Sequence, residues 1–272
     1  MAIRIVQSKS NPGVKELRAA LRHPGRNPGE AVGLEGVHLV AEALHSRIPL
    51  SAIYIIEGRE AILDDHLLAP WRLARTHEVI ALPEDLFRAA VSTESPQPIA
   101  ALCRPRTHTW ETLLTPAPAL LVVLAGLQDP GNLGTILRSA EAFGATGAIL
   151  LPGTVSPWNP KAMRASAGSV FRLAHIHASN DDCLARLAAH GVRTFAAMPD
   201  APVPLASTNL SQPTALVIGS EGAGVPPAFA DRCHARITIP TPGPVESLNA
   251  AIAASILLYE AARQRTTSGS RP

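Results

Sequence analysis

The stretch Ile237-Thr238-Ile239-Pro240-Thr241-Pro242-Gly243-Pro244-Val245-Glu246-Ser247-Leu248-Asn249 decides the fold. Its first residues are β-branched and apolar, as a strand prefers, and beyond Pro240 two further prolines with a glycine exclude both strand and helix. Ser247 is a good N-cap. After it Leu248, Ala251, Ile252, Ser255, Ile256 and Tyr259 recur at the spacing of one helical face. The stretch therefore predicts a strand, a rigid loop and a long helix capped by Ser247. In open α/β sheets such a loop lies at the carboxyl end of a strand, where ligands bind and where the unpaired N–H groups of a helix start face them. On local grounds Ser247 and Asn249 need do no more than cap that helix.

Upstream, Ala215-Leu216-Val217-Ile218 is another apolar run of strand length, followed by Gly219-Ser220-Glu221-Gly222-Ala223-Gly224. Glycine weakens helix and strand and adds no side chain to a core. A carboxylate among three glycines means either that the loop needs positive φ angles or that its backbone must approach a ligand closely with Glu221 facing it. Leu120 to Leu124 is a third run, continuous enough to be a strand buried on both faces. It breaks at Gln128-Asp129-Pro130-Gly131-Asn132. Leu133, Ile136, Leu137, Ala140 and Phe143 then repeat at helical spacing, with Asn132, Arg138 and Glu141 on the polar side. A surface ion pair between Arg138 and Glu141 or another neighbour is the bland reading of that arginine. Ala148–Leu151, Ala174–His177 and Arg193–Ala197 read as further strands, and Asp181–Ala189 as a helix. Lys161–Gly168 reads as a helix start or turn. His175 and His177 alternate as half a metal site would, but no third ligand follows, so they read as solvent-facing. Lys161, Arg164 and Arg172 fit an RNA surface and solvated charges equally well.

Composition allows a substantial core in a chain of 272 residues: 46% are hydrophobic and 17% charged. Aromatics are scarce at 4%, so the core is aliphatic, which suits parallel strands under close-packed helices. A formal net charge of +2 neither demands nor excludes a nucleic-acid partner. In the first thirty residues Arg4, Lys9, Lys15, Arg18, Arg22 and Arg26 face only Glu16 and Glu30, which fits either a solvated helix face or a phosphate-contacting surface. Cys103, Cys183 and Cys233 lie far apart without a CxxC pair, which argues against a disulfide framework or zinc site and suits a reducing cytosol. Met1-Ala2-Ile3-Arg4 lacks a signal-peptide pattern, and no apolar run approaches the ~18 residues needed to span a membrane. A soluble, cytoplasmic protein is expected.

Residues 1–106 alternate short strand and helix signals and form a first α/β domain of ordinary size. Residues 107–118, ending Thr115-Pro116-Ala117-Pro118, read as a proline-stiffened linker. Residues 119–266 form a second, parallel-sheet α/β domain, and residues 267–272 a flexible tail.

Together, Asp129-Pro130-Gly131-Asn132-Leu133-Gly134 with Arg138, Gly219-Ser220-Glu221-Gly222, and Ser247-Leu248-Asn249 resemble the three motifs of the SpoU-type (TrmH-like) RNA ribose 2′-O-methyltransferases of the SPOUT superfamily. The likeness runs from about Leu120 to Arg265. Ser166-Ala167-Gly168 resembles a recurrent stretch between the first and second motifs. Leu34-Glu35-Gly36 with Leu39–Leu44 resembles, more weakly, the amino-terminal RNA-binding domain that many members carry. The resemblance implies a trefoil-knotted sheet domain that binds S-adenosylmethionine, and a homodimer with its active site near the subunit interface. Cofactor contacts would fall on Gly219, Ile239 and Leu248, largely through backbone groups. Catalytic and RNA-contacting roles would fall on Asn132, Arg138, Glu221, Ser247 and Asn249. Thr241-Pro242 stands where relatives often have a methionine.

In the family the arginine is proposed to activate the ribose hydroxyl. A guanidinium with pKa of roughly 12.5 or more is a poor base, so Arg138 is better suited to gripping a phosphate and stabilising developing alkoxide charge. Glu221 would hold Arg138 or orient the ribose. The separate amino-terminal domain favours ribosomal over transfer RNA as substrate. A catalytically silent RNA-binding or ribosome-assembly factor and a small-molecule methyltransferase are the alternatives.

Overall fold

The computed structural model describes residues 3–22, 29–91, 93, 95–115 and 117–269. Most of the turn expected after the first helix, with Arg26, and the last three residues of the expected tail lie outside them. The chain divides into two compact units, Met1–Thr107 with Trp158–Phe171, and His108–Pro157 with Arg172–Pro272.

The first unit contains β1 (Arg4–Ile5), α1 (Pro12–Arg22), β2 (Val32–Glu35), α2 (Val37–His45), β3 (Leu50–Ile56), α3 (Leu73–Thr76), β4 (Val79–Leu82), α4 (Glu84–Ala90) and β5 (Ile99–Cys103). Its sheet runs β1-β4-β3-β5-β2, parallel from β1 to β3 and antiparallel where β5 meets β3 and β2. The apolar stripe of α1, Val14, Leu17 and Leu21, packs with Leu86 and Phe87 of α4 over Tyr54, Ile80, Leu82 and Leu102 of the sheet. Two of the early charges are paired within the unit, Arg4 with Glu78 and Glu16 with Arg104.

The rest of the chain supplies α5 (Trp110–Leu114), β6 (Leu120–Ala125), α6 (Pro130–Ala142), β7 (Gly147–Leu150), α7 (Pro160–Ala165), α8 (Ser169–Arg172), β8 (His175–His177), α9 (Asn180–Ala189), β9 (Arg193–Ala197), β10 (Val203–Pro204), β11 (Thr214–Gly219), α10 (Pro227–Ala230), β12 (Ala235–Thr238) and α11 (Ala250–Gly269). Seven strands form one wholly parallel sheet in the order β10-β12-β9-β11-β6-β7-β8. β6 and β11 lie side by side at its centre, in register from Leu120–Thr214 to Ala125–Gly219. Side chains alternate across the sheet. Leu121, Val123, Ala215 and Val217 pack with Cys183, Leu184 and Leu187 of α9 on one face. Leu120, Val122, Leu124, Leu216 and Ile218 turn to the other, where α6 and α11 pack against each other and against β7 and β11.

Two expected boundaries need correction. The 107–118 stretch is not all linker, because Thr109 caps α5 and Leu113 is fully buried in the sheet domain's core. Residues 158–171, within the stretch read from sequence as the second domain, group with the first compact unit. There Ser166 is fully buried, its hydroxyl bonded to the Met163 carbonyl at 2.8 Å, and Ala167 takes a left-handed φ of 46°. Helix α11 runs to Gly269, past the expected start of the tail.

The buried face of α11 is also not the expected one. Ala251, Ala254, Leu257, Leu258 and Ala261 are buried, whereas Ile252 and Tyr259 are 54% and 55% exposed. The helix is apolar nearly all round, so periodicity alone could not choose. Alanines permit close approach to β11 and α6, and that selected the face. Its far end is fastened by Arg265, whose guanidinium donates to the carbonyls of Leu210, Pro118, Ala119 and Gln212 at 2.6–3.1 Å.

His175 is likewise buried, with Nδ1 3.0 Å from the Leu173 carbonyl and its ring 5.8 Å from that of His108; His177 alone is exposed. The alternation on β8 was read correctly, but this strand turns His175 inward. Burial, the largest influence, pushes its pKa down to about 4.

Candidate active site

At the carboxyl end of β11 the chain folds back on itself. Ser220 N–H donates to the Gly224 carbonyl at 3.2 Å and Gly224 N–H to the Ser220 carbonyl at 3.0 Å, closing a tight loop around Glu221. A Cβ on Gly219 would lie 2.0 Å from the Gly224 carbonyl carbon and 2.1 Å from the Val225 nitrogen, both backbone. Gly224 has a φ of +67°. The two readings of this loop thus separate by position: Gly224 serves a positive φ, and Gly219 a close approach. At Gly219 the approaching backbone is the loop's own.

At the carboxyl end of β6, Asp129 caps α6 by accepting the Asn132 N–H at 2.8 Å, with Pro130 in the first turn. This cap sets Asn132 at the helix mouth. Its side-chain amide donates to Glu221 Oε1 at 2.8 Å, and its Oδ1 accepts from Asn249 Nδ2 at 3.1 Å. Three motifs separated by 89 and 117 residues therefore meet in one hydrogen-bonded chain, Asn249 to Asn132 to Glu221.

Asn249, and not Ser247, is the cap of α11. Its Oδ1 accepts from the N–H groups of Ala251 and Ile252 at 2.9 and 3.3 Å. Ser247 stands two residues too early, on the wall of the adjoining cavity. With Oδ1 committed to the cap, Asn249 can only donate to Asn132, which must then present its own NH₂ to the carboxylate. Burial is the strongest single influence on the Glu221 carboxyl and pushes its pKa up. The donors Asn132 and the backbone N–H groups of Glu221, Gln128 and Asp129 together outweigh it and hold the pKa below the ordinary carboxylate value. Glu221 is therefore an anion at neutral pH.

Beside this chain lies a cavity of about 330 Å³ walled by the end of β9 (Ala197-Met198-Pro199), the β11 end and loop from Ile218 to Val225, Ile237, Ile239, Thr241, and Glu246, Ser247, Leu248, Ala250 and Ala253. Its volume suits a small organic ligand. Gly219, Ile239, Leu248, Glu221 and Ser247 of the expected set line it. Asn132 and Asn249 join it through Glu221. The β9 wall and Glu246 were not expected, although Met198-Pro199-Asp200-Ala201-Pro202 after a strand is the kind of break that places a loop at a sheet's ligand edge.

Arg138 stands apart. It is exposed on α6, and among the described residues it has no hydrogen-bond or ion-pair partner. Glu141 does not pair with it, being taken by Arg172 in a two-pronged pair at 2.6 and 3.0 Å. Nor does Glu221 hold it, since Asn132 does. Arg172 is accordingly tied down and is not a loose RNA-facing cation.

Residues 119–259 match the SpoU rRNA Methylase family, and residues 11–101 an MRM3-like substrate binding domain. The chain belongs to the SpoU family. It is 34% identical over 254 residues to a 23S rRNA (guanosine(2553)-2′-O)-methyltransferase, RlmP, of Bacillus subtilis, covering 93% of this chain and 97% of that one. Among solved structures it is similar to the SpoU methyltransferase AviRb of Streptomyces viridochromogenes in complex with AdoMet, with TM-score 0.81, 28% identity, and 94% and 99% of the two chains covered. An AdoMet-bound rRNA methyltransferase of Sinorhizobium meliloti is similar with TM-score 0.79 at 31% identity, covering 96% and 98%. For a SpoU protein the site has what a nucleoside-bearing cofactor needs: an apolar pocket floor at Ile218, Ile237 and Ile239, a loop whose glycines leave backbone open to a ligand, and a helix start beside it.

Proposed function

We propose that this protein transfers a methyl group from S-adenosylmethionine to a ribose 2′-hydroxyl of RNA, with ribosomal RNA as substrate, and that it works in the cytoplasm. The observation that carries this reading is the Asn249–Asn132–Glu221 chain standing beside a cavity lined by Gly219, Ile239 and Leu248. Family membership, the match of residues 11–101 to a substrate binding domain and the relatives' names support the substrate class.

The cofactor, held by the backbone about Gly219, Ile239 and Leu248, supplies the activated methyl carbon. The protein's part is position and electrostatics. Glu221, ionised and fixed by Asn132, orients the ribose by accepting a hydrogen bond from a hydroxyl. Ser247 and Asn249 hold the loop that borders the sugar. Arg138 grips the neighbouring phosphate and stabilises charge developing on the attacking oxygen.

Arg138 reaches this chemistry through a dimer. It lies six residues after Asn132, about 9 Å further along α6 and roughly 120° round its axis, and so faces away from its own subunit's carboxylate. The side of α11 that leaves Ile252 and Tyr259 exposed, with Phe143 at the end of α6 edge-on to Tyr259, offers the apolar cover for a second copy. Each subunit would lend Arg138 to its partner's cavity.

The test is incubation of the purified chain with radiolabelled S-adenosylmethionine and total RNA, followed by mapping of methylated ribose. RNA bound without label would favour a silent assembly factor. Mixing inactive Arg138→Ala and Asn132→Ala chains tests the shared site: activity should return in mixed dimers and would stay absent if each subunit used its own arginine.

A further inference from the structure

Among the described residues the cavity lining has two ionisable side chains, Glu221 and Glu246, and no lysine, arginine or histidine. Neither carboxylate is neutralised. Glu221 takes its side-chain hydrogen bond from the uncharged amide of Asn132. Glu246 is exposed on the loop before α11, and among the described residues it has no hydrogen-bond or ion-pair partner. Pro242 and Pro244 stiffen that loop. Two unpaired negative charges at the wall of an apolar cavity create a field that favours a cationic ligand. Added negative charge next to RNA repels phosphate, so a second carboxylate beyond the ribose-orienting Glu221 must serve something other than the polynucleotide.

We propose that Glu246 selects ligands by charge, making the cavity prefer the sulfonium donor to the thioether that remains after transfer. The inference rests on the cofactor reading above. In methyl transfer the ribose oxygen exchanges its proton for the methyl group, and the bonding pair stays on sulfur. The donor's positive charge is thus absent from the product. A fixed carboxylate senses that difference, whereas an apolar wall or a backbone hydrogen bond to adenine does not. Glu221 already has its part in the ribose, with Oε1 bonded to Asn132, so Glu246 is the carboxylate left for the task. Its effect is to hold the donor and to let the spent product leave.

Isothermal titration of the full chain with S-adenosylmethionine, S-adenosylhomocysteine and the amine analogue sinefungin tests this without RNA or turnover. Glu246→Gln should lower the preference for the donor over the homocysteine product by roughly five-fold, the worth of one unit charge about 4 Å away under water-like screening. Sinefungin, cationic but unable to transfer, should follow the donor. Glu246→Asp should keep most of the preference, and added salt should shrink it in the natural protein. Equal weakening of all three ligands by Glu246→Gln, at an unchanged melting temperature, would assign Glu246 a structural role and overturn the inference while leaving the cofactor reading intact. If the natural protein bound none of the three, the cofactor reading itself would fall.

Discussion

Replacing Gly219 with alanine adds one methyl group where the structure leaves no room for it. The new Cβ would stand 2.0 Å from the Gly224 carbonyl carbon, so the loop must retreat by about 1.4 Å to reach an ordinary contact of 3.4 Å. The three nearest atoms are all backbone of Gly224 and Val225, so rotating a side chain cannot relieve the clash. Retreat breaks the paired bonds between Ser220 and Gly224. At about 1 kcal/mol each, that costs about 2 kcal/mol of stability, or roughly 4–8 °C in melting temperature for a chain of this size.

The functional loss should be larger than the thermal one. The same loop carries Glu221 and walls the cavity, and a misplacement of about 1 Å at a reacting site costs on the order of a hundred-fold in rate. Gly222→Ala in the same loop is the control, because a Cβ there meets nothing within 4 Å. It should change stability by less than ~0.5 kcal/mol. Scanning calorimetry and titration with S-adenosylmethionine on both variants give the answer. A Gly219→Ala chain that melts and binds cofactor like the natural one would refute the packing argument, as would equal damage from Gly222→Ala.

Arg138→Ala should cut turnover by roughly 10²–10³-fold and leave the cofactor dissociation constant within about two-fold, as read by single-turnover methylation and titration; unchanged turnover removes Arg138 from the mechanism. Asn249→Asp should keep the α11 cap, since aspartate caps as well as asparagine, yet lose methyl transfer, because a carboxylate cannot donate to Asn132; full activity in the Asn249→Asp chain would show that the hydrogen-bond chain is dispensable. His175 has a folded pKa of about 4 against 6.5 unfolded, so the unfolded chain binds the extra proton first. Its stabilising contribution is complete above pH 6.5 and declines as pH falls toward 4, by about 1.4 kcal/mol per pH unit and about 3 kcal/mol in all; denaturant titrations across that range should show the slope, and His175→Gln should flatten it.

What the sequence made legible follows from what each signal encodes. The continuous apolar runs at Leu120–Leu124 and Ala215–Ile218 could only be strands covered on both faces, and they form the centre of the parallel sheet. Breaks at Asp129, Gly219 and Pro240 marked the strand ends that carry the site. Family resemblance assigned Gly219, Ile239 and Leu248 to a ligand, and all three line one cavity. What stayed hidden is whatever depends on distance through space. Ser247 and Asn249 are both good caps, and only Asn132, 117 residues away, discriminates between them. Glu141 sits one turn from Arg138, the spacing of a helical ion pair, but the two-pronged grip of Arg172 removes it. The apolar circumference of α11 held no preference until alanines met β11 and α6.

The direction of each hydrogen bond in the site has a single origin. Helix α11 needs an acceptor at its start, and that need fixes the Asn249 side chain with Oδ1 toward Ala251 and Ile252. Its NH₂ is then the one group left for Asn132, whose Oδ1 must turn toward it and whose NH₂ must turn toward Glu221. Rotating either amide would set two lone pairs, or two N–H groups, against each other. A backbone requirement at one helix end is thereby passed through two neutral amides to a carboxylate at the cavity, which it holds ionised and aimed. Neutral relays suit this task better than charged ones: a lysine or arginine in place of Asn132 would neutralise Glu221 and weaken the negative field that a sulfonium ligand meets.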